Sequence, residues 1–105
     1  MIDQNLLKTI VDRILSATQP ERIILFGSAA TGTMTRDSDL DLLVIGDGFT
    51  DNREENRRLR RTLGDIGMPV DIFAMTRERF EETKSVIGGL AYPANKYGTV
   101  IYEVA

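Results

Sequence analysis

The sequence predicts an α/β (α+β) domain in which helices pack on one mixed four-stranded sheet. Helix-type and strand-type segments alternate along the chain, and each strand-type segment is a short apolar run bounded by turn residues. Apolar residues make up 42% of the sequence and charged residues 28%, which is typical of a globular protein. A length of 105 residues suffices for one core, so residues 1–105 are predicted to form a single domain.

Each element follows from hydrophobic spacing and from residues that start or stop helices. Asp3 is the predicted cap of the first helix, and Pro20 ends it. The predicted elements are, in order, a helix over the apolar positions from Ile2 to Leu15, a strand at Arg22–Gly27, a short helix from Ser28 to about Met34, a strand at Asp39–Gly46, a helix capped by Thr50 or Asp51 and running to about Asp65, a strand at Val70–Met75, a helix capped by Thr76 and running to about Ile87, and a strand at Thr99–Val104. Residues 91–98 are predicted to be a loop or a single helical turn.

Composition excludes several classes of function. The net charge is 13 − 16 = −3, so the chain lacks the basic character of general nucleic-acid binders. No apolar run approaches the roughly 20 residues that a membrane span requires. The N-terminus lacks the pattern of a signal peptide, and the absence of cysteine fits a cytoplasmic protein.

The absence of histidine narrows the chemistry further. It excludes a Ser-His-Asp triad and any histidine-ligated zinc or iron. A metal would have to be held by oxygen, which points to magnesium, manganese or calcium. The carboxylates are therefore the candidates for catalysis.

Two of these carboxylates, Asp39 and Asp41, open an apolar strand. Side chains alternate along a strand, so both lie on the same face of the sheet. Asp71 occupies a similar place in a later strand and lies beside them if the two strands are neighbours. Carboxylates about 4 Å apart repel by roughly 4 kcal/mol per pair at an effective dielectric near 20. Divalent cations remove this repulsion, and two cations about 3.5–4 Å apart are the arrangement that transfers nucleotidyl groups.

Gly27 and Ser28 end the preceding strand. A glycine there lets the backbone come close to a bulky anion, and free N–H groups at a helix start bind phosphate. Both motifs also have a purely structural interpretation. Gly-Ser turns are common, Asp39 could cap a turn, and Asp41 could lie at a solvent-exposed strand edge. The addition of Asp71 favours the functional interpretation.

Other polar and aromatic residues have ordinary interpretations. The arginines of the third helix are interpreted as a solvated face in preference to a docking surface for an acidic partner: Arg53, Arg57, Arg58, Arg60 and Arg61. Tyr92 and Tyr97 could stack on a base, but packing is the preferred role. The four phenylalanines are expected in the core: Phe26, Phe49, Phe73 and Phe80.

Gly27-Ser28, ten residues, and then Asp39-x-Asp41, with a later acid at Asp71, resembles the DNA polymerase β-type nucleotidyltransferase superfamily. The short length and the stretch GSAATG resemble its minimal nucleotidyltransferase (MNT) group, and the ending YGTVIYE is similar to that of the family. The chain departs from the family at Ala29 and Thr31, where arginine is often present, and Arg36 is a possible substitute.

The resemblance implies that Gly27 and Ser28 bind the triphosphate of ATP. It implies that Asp39, Asp41 and Asp71 hold Mg²⁺ and that Asp71 helps to activate the acceptor hydroxyl. It further implies an antitoxin that forms a complex with a HEPN-type ribonuclease toxin and transfers AMP to one of its tyrosines. Two alternatives are a non-catalytic antitoxin that acts by binding and a small-molecule nucleotidyltransferase. The latter is less favoured because those relatives carry a further helical domain.

Overall fold

The computed structural model describes residues 3–27, 39–49 and 52–104. Within these ranges the elements are, in chain order, α1 (Gln4–Ala17), β1 (Arg22–Phe26), β2 (Leu40–Ile45), α2 (Asn52–Leu63), β3 (Val70–Met75), α3 (Arg77–Thr83), α4 (Ala91–Tyr97) and β4 (Thr99–Glu103). The short helix predicted from Ser28 and the cap predicted at Thr50 or Asp51 lie outside the described residues. In the described part of the chain, no helix has the length and apolar run that crossing a bilayer requires.

The four strands form one sheet in the order β3-β2-β1-β4. Strand β1 is antiparallel to both of its neighbours, β2 and β4, whereas β3 is parallel to β2. A parallel pair requires a crossover, which α2 provides between β2 and β3. The prediction of a mixed four-stranded sheet is confirmed.

Alternation along the strands separates two apolar clusters, one on each face of the sheet. The first lies under α1 and α2 and includes Leu40, Leu42 and Val44 of β2. The second lies under α3 and α4 and includes Leu43 and Ile45 of the same strand. The second face therefore also carries the residue at position 41.

Helix boundaries follow local capping. The Asp3 carboxylate accepts a hydrogen bond of 2.8 Å from the Asn5 backbone N–H, and the Thr76 hydroxyl accepts one of 3.2 Å from Arg79 N–H. Both side chains satisfy N–H groups that the first helical turn leaves without partners, and both caps were predicted.

Two predictions for the C-terminal part were wrong, one for the end of a helix and one for the type of an element. Helix α3 ends at Thr83, not near Ile87, because the side chains beyond it find no core: Val86 is 58% exposed and Ile87 79%. Residues 91–97 form helix α4, not a loop or a single turn. Ala91 and Ala94 bury one face of α4, and Pro93 is tolerated because the first turn of a helix needs no N–H from it.

The phenylalanines occupy the core as expected. Phe26, Phe49 and Phe80 are buried, and Phe73 is partly buried with its ring centroid 6.5 Å from that of Phe26. Phe26 and Phe73 lie on the face covered by α3 and α4, Phe26 as the last residue of β1 and Phe73 within β3. These rings form the apolar floor beside the residues described next.

Candidate active site

The structure brings the three predicted acids to one end and one face of the sheet. Asp41 and Asp71 are the second residues of β2 and β3, and they are partners in the parallel register. Asp39 precedes β2 by one residue and shares the face of Asp41 by alternation. The predicted neighbourhood of the two strands, with Asp71 on the face of Asp39, is confirmed.

The three carboxylates act on one another electrostatically. Burial raises the pKa of the Asp41 carboxyl above its ordinary value of 3.8, and the negative charges of Asp71 and then of Asp39 raise it further. Asp41 is half-buried, Asp39 is exposed, and the Asp71 side chain is 45% exposed. The cluster therefore has a partly desolvated centre and an open side through which a ligand can approach.

Gly27 supports Asp41 from the end of β1. Its φ of +77° is in the left-handed region that favours glycine. A Cβ at this position would overlap with Oδ2 of Asp41 and lie 3.3 Å from its Cγ. Phe26 pairs with Asp41 in the antiparallel register of β1 and β2. Gly27 follows Phe26 and therefore lies against the Asp41 carboxylate. The predicted binding of the triphosphate by Gly27 and Ser28 stays a prediction, and Ser28 lies outside the described residues.

A cation also reaches the acid cluster. Nη2 of Arg60, on α2, lies 3.7 Å from Oδ1 of Asp71. Sequence reasoning placed Arg60 in a solvated arginine face and missed this contact, which depends on how α2 packs beside β3. Arg57 fits the solvated interpretation, since it is exposed and pairs with Glu54 of the same helix at 3.6 Å. That interpretation is wrong for Arg58, whose partly buried guanidinium pairs with Glu55 at 2.6 Å and donates a hydrogen bond to the Ala17 backbone carbonyl of α1.

The acid cluster fits a hard divalent cation by its donor chemistry. As placed, no three His, Cys, Asp or Glu side chains among the described residues are grouped closely enough to hold a metal ion. The backbone register nevertheless sets the Cα atoms of Asp41 and Asp71 one strand spacing apart, about 4.8 Å. Carboxylate oxygens are the ligands that hard divalent cations such as Mg²⁺ prefer. The assignment of Asp39, Asp41 and Asp71 as ligands of Mg²⁺ stays a prediction.

Tyr92 and Tyr97 lie on α4 around a lysine. The Lys96 ammonium lies 5.5 Å from the centre of the Tyr92 ring and 5.4 Å from that of Tyr97, and it donates a hydrogen bond of 3.2 Å to the Tyr92 hydroxyl. The packing role preferred for both tyrosines is wrong for Tyr97, which is 54% exposed.

The repulsion around Asp41 leads to a prediction about the metal-free protein. Because the folded-state pKa of Asp41 is raised, its ionisation disfavours the folded state, and stability falls as the pH rises from the unfolded-state pKa through the folded-state one. Asp41→Asn removes this charge and should raise the melting temperature at pH 7 by about 2–8 °C, the equivalent of roughly 0.5–1 kcal/mol. Thermal melting in EDTA measures the difference.

The control for this experiment is Asp47→Asn, which removes an exposed carboxylate from the turn after β2. Its melting temperature should stay within about 2 °C of the parent's, since surface substitutions rarely exceed about 0.5 kcal/mol. The gain for Asp41→Asn should also shrink as the pH falls through the folded-state pKa of Asp41 and vanish well below 3.8, where the parent carboxyl is protonated in both states. A melting temperature below that of the parent at pH 7 would make Asp41 a structural residue.

Comparison with known proteins identifies the family of this chain. The sequence profile described as Nucleotidyltransferase domain matches residues 6–92, which include Gly27 and all three acids. The chain belongs to this nucleotidyltransferase family. No match was found among curated proteins.

Two solved structures share the nucleotidyltransferase fold. One is a toxin–antitoxin crystal structure with AMP-PNP, which has a TM-score of 0.62 at 20% identity over 93% of this chain and 73% of that chain. The other is a Sulfolobus solfataricus protein assigned as a nucleotidyltransferase, which has a TM-score of 0.65 at 18% identity over 94% of this chain and 81% of that chain. The predicted polymerase β-type fold is confirmed.

Proposed function

We propose that this nucleotidyltransferase domain transfers AMP from ATP to a protein hydroxyl and acts as an antitoxin in the cytoplasm. The acceptor is a tyrosine of a HEPN-type ribonuclease toxin with which it forms a complex. The observation that carries the catalytic part is the set of three mutually repelling carboxylates at one sheet end, in a chain of the nucleotidyltransferase family. Such an arrangement serves no purpose in a protein that only binds a partner, because it costs folding stability.

The reaction assigns a role to each residue of the site. The acceptor oxygen attacks the α-phosphorus of ATP, the bond from that phosphorus to the oxygen bridging the β-phosphate breaks, and pyrophosphate leaves. Asp71, whose side chain is 45% exposed, takes the proton of the acceptor hydroxyl. Asp39 and Asp41 hold the cation together with Asp71, and Gly27 leaves room for the Asp41 carboxylate against the end of β1. Bound Mg²⁺ would supply neutralisation of the charge that develops on the phosphates.

The antitoxin part is supported by the toxin–antitoxin structure with AMP-PNP that has the same fold. The AMP-PNP in that structure is an ATP analogue, which supports ATP as the donor for this chain. The partner protein places a tyrosine at the open side of the acid cluster, where Asp39 and Asp71 are exposed.

The test is incubation of the purified chain with its co-encoded partner, ATP and Mg²⁺, followed by mass spectrometry of the partner. An added adenylyl group on a tyrosine is the expected result, and it should be absent when that tyrosine is changed to phenylalanine. If the partner binds but is not modified, and if Asp39→Asn/Asp41→Asn still neutralises it, the chain is a binding antitoxin. Adenylylation of a small molecule in place of the partner would support the third alternative.

A further inference from the structure

Arg60 differs from Arg57, its neighbour on the same helix, in what it contacts. Leu59 and Leu63 bury the inner side of this helix against the sheet, and Arg60 projects beside them toward the edge strand β3. Its guanidinium meets Asp71, a member of the acid cluster, whereas Arg57, one turn earlier, meets Glu54 of its own helix. The exposed fractions of the Arg60 and Arg57 side chains are nearly equal, 61% and 63%, so the difference between the two lies in their partners.

We propose that Arg60 is a positioning residue that exchanges partners when the site fills. In the ligand-free protein its guanidinium neutralises part of the negative charge of Asp71. When a divalent cation binds Asp71, the guanidinium moves to the phosphate oxygens of the bound nucleotide. This inference rests on the proposed function and adds to it the residue that couples cation binding to triphosphate binding.

The geometry and chemistry of the pair support this exchange. A separation of 3.7 Å between two side chains that are about half exposed is a weak ion pair, which a ligand can break at little cost. Guanidinium is permanently charged and matches phosphate oxygens in pairs of hydrogen bonds, so it has a favourable new partner as soon as the triphosphate arrives. A divalent cation bound to Asp71 weakens the attraction of the guanidinium to this carboxylate, because like charges repel.

The proposed exchange predicts that substitution of Arg60 changes the affinities for the two ligands in opposite directions. Arg60→Gln removes the cation's competitor, so Mg²⁺ alone should bind about two- to fivefold more tightly. The same change removes a charged partner of the phosphates, so a non-hydrolysable ATP analogue with Mg²⁺ should bind about five- to twentyfold more weakly. A purely structural role of Arg60 would shift both affinities in the same direction, if at all.

The experiment measures both affinities from melting temperatures over a series of Mg²⁺ concentrations, with and without the analogue. The variants are Arg60→Gln, Arg60→Lys, and Arg57→Gln as the matched control. The inference is supported if Arg60→Gln shows the opposite shifts, Arg60→Lys stays within about threefold of the parent and Arg57→Gln leaves both affinities unchanged.

Two other outcomes are distinguishable. If the parent binds both ligands and Arg60→Gln binds them as the parent does, or if Arg57→Gln reproduces the effects, Arg60 has no specific role and the inference is overturned. If the parent binds neither Mg²⁺ nor the analogue, the proposed function is wrong and this inference fails with it.

Discussion

Gly27→Ala is expected to lower the free energy of unfolding by about 2–4 kcal/mol, which is roughly 10–25 °C in melting temperature for a chain of this length. Two physical costs add. A non-glycine residue at a φ of +77° costs about 1–2 kcal/mol, and the new methyl group overlaps with Oδ2 of Asp41. The carboxylate must move, so the substitution disturbs fold and site together. Thermal and urea denaturation measure the loss.

Gly48→Ala separates the two costs. Gly48 has a similar φ of +87°, but a Cβ there would meet no described atom within 4 Å. We expect it to lose only the conformational part, about 1–2 kcal/mol. A double variant, Gly27→Ala/Asp41→Ala, should lose less than the sum of the single changes, because the clashing carboxylate is gone. Equal losses of unfolding free energy for Gly27→Ala and Gly48→Ala would show that the Asp41 carboxylate does not clash with a side chain at position 27.

Asp41→Asn is expected to reduce kcat/KM for adenylyl transfer about 10³-fold or more, which is roughly 4 kcal/mol of transition-state stabilisation. An amide cannot supply the negative charge that the cation requires, and Asp41 lies between Phe26 on β1 and Asp71 on β3 at the centre of the site. Steady-state assays with ATP, Mg²⁺ and the partner measure the loss, which should lie in kcat more than in KM.

The combination of outcomes makes this variant informative, because most damaging substitutions lower stability and activity together. Asp41→Asn should lose activity while its metal-free form melts higher than the parent. Asp47→Asn should retain both the parent activity and the parent melting temperature. Retention of activity within about tenfold by Asp41→Asn would remove Asp41 from the catalytic site, since a lost charged ligand costs more than that.

Much of the sheet could be predicted because its strands are short apolar runs between turn residues. Strand β3 was predicted with the bounds that the structure has, Val70–Met75, between a Gly-Met-Pro turn and a capping threonine. Helix α4 was not predicted, because its buried face consists of two alanines, whose small side chains give a weak periodic signal. Contact with β1, which is distant in sequence, stabilises it.

The acid site was predictable to the extent that it depends on alternation within one strand. Asp39 and Asp41 share a face for that reason alone. The place of Asp71 depends on β3 pairing with β2 in parallel, which the sequence leaves conditional. The contact of Arg60 with Asp71 depends on the packing of α2 beside an edge strand, and no local pattern distinguishes Arg60 from its neighbours.

The most direct test of the central claim follows the label of ATP. The chain, its partner and Mg²⁺ are incubated in parallel with ATP labelled at the α-phosphate and with ATP labelled at the γ-phosphate. Nucleotidyl transfer predicts that the partner acquires the α-label only and that the γ-label appears in pyrophosphate. The Asp41→Asn variant should neither label the partner nor release labelled pyrophosphate. Transfer of the γ-label to the partner, or α-label transfer that survives Asp41→Asn undiminished, would contradict nucleotidyl transfer at these carboxylates.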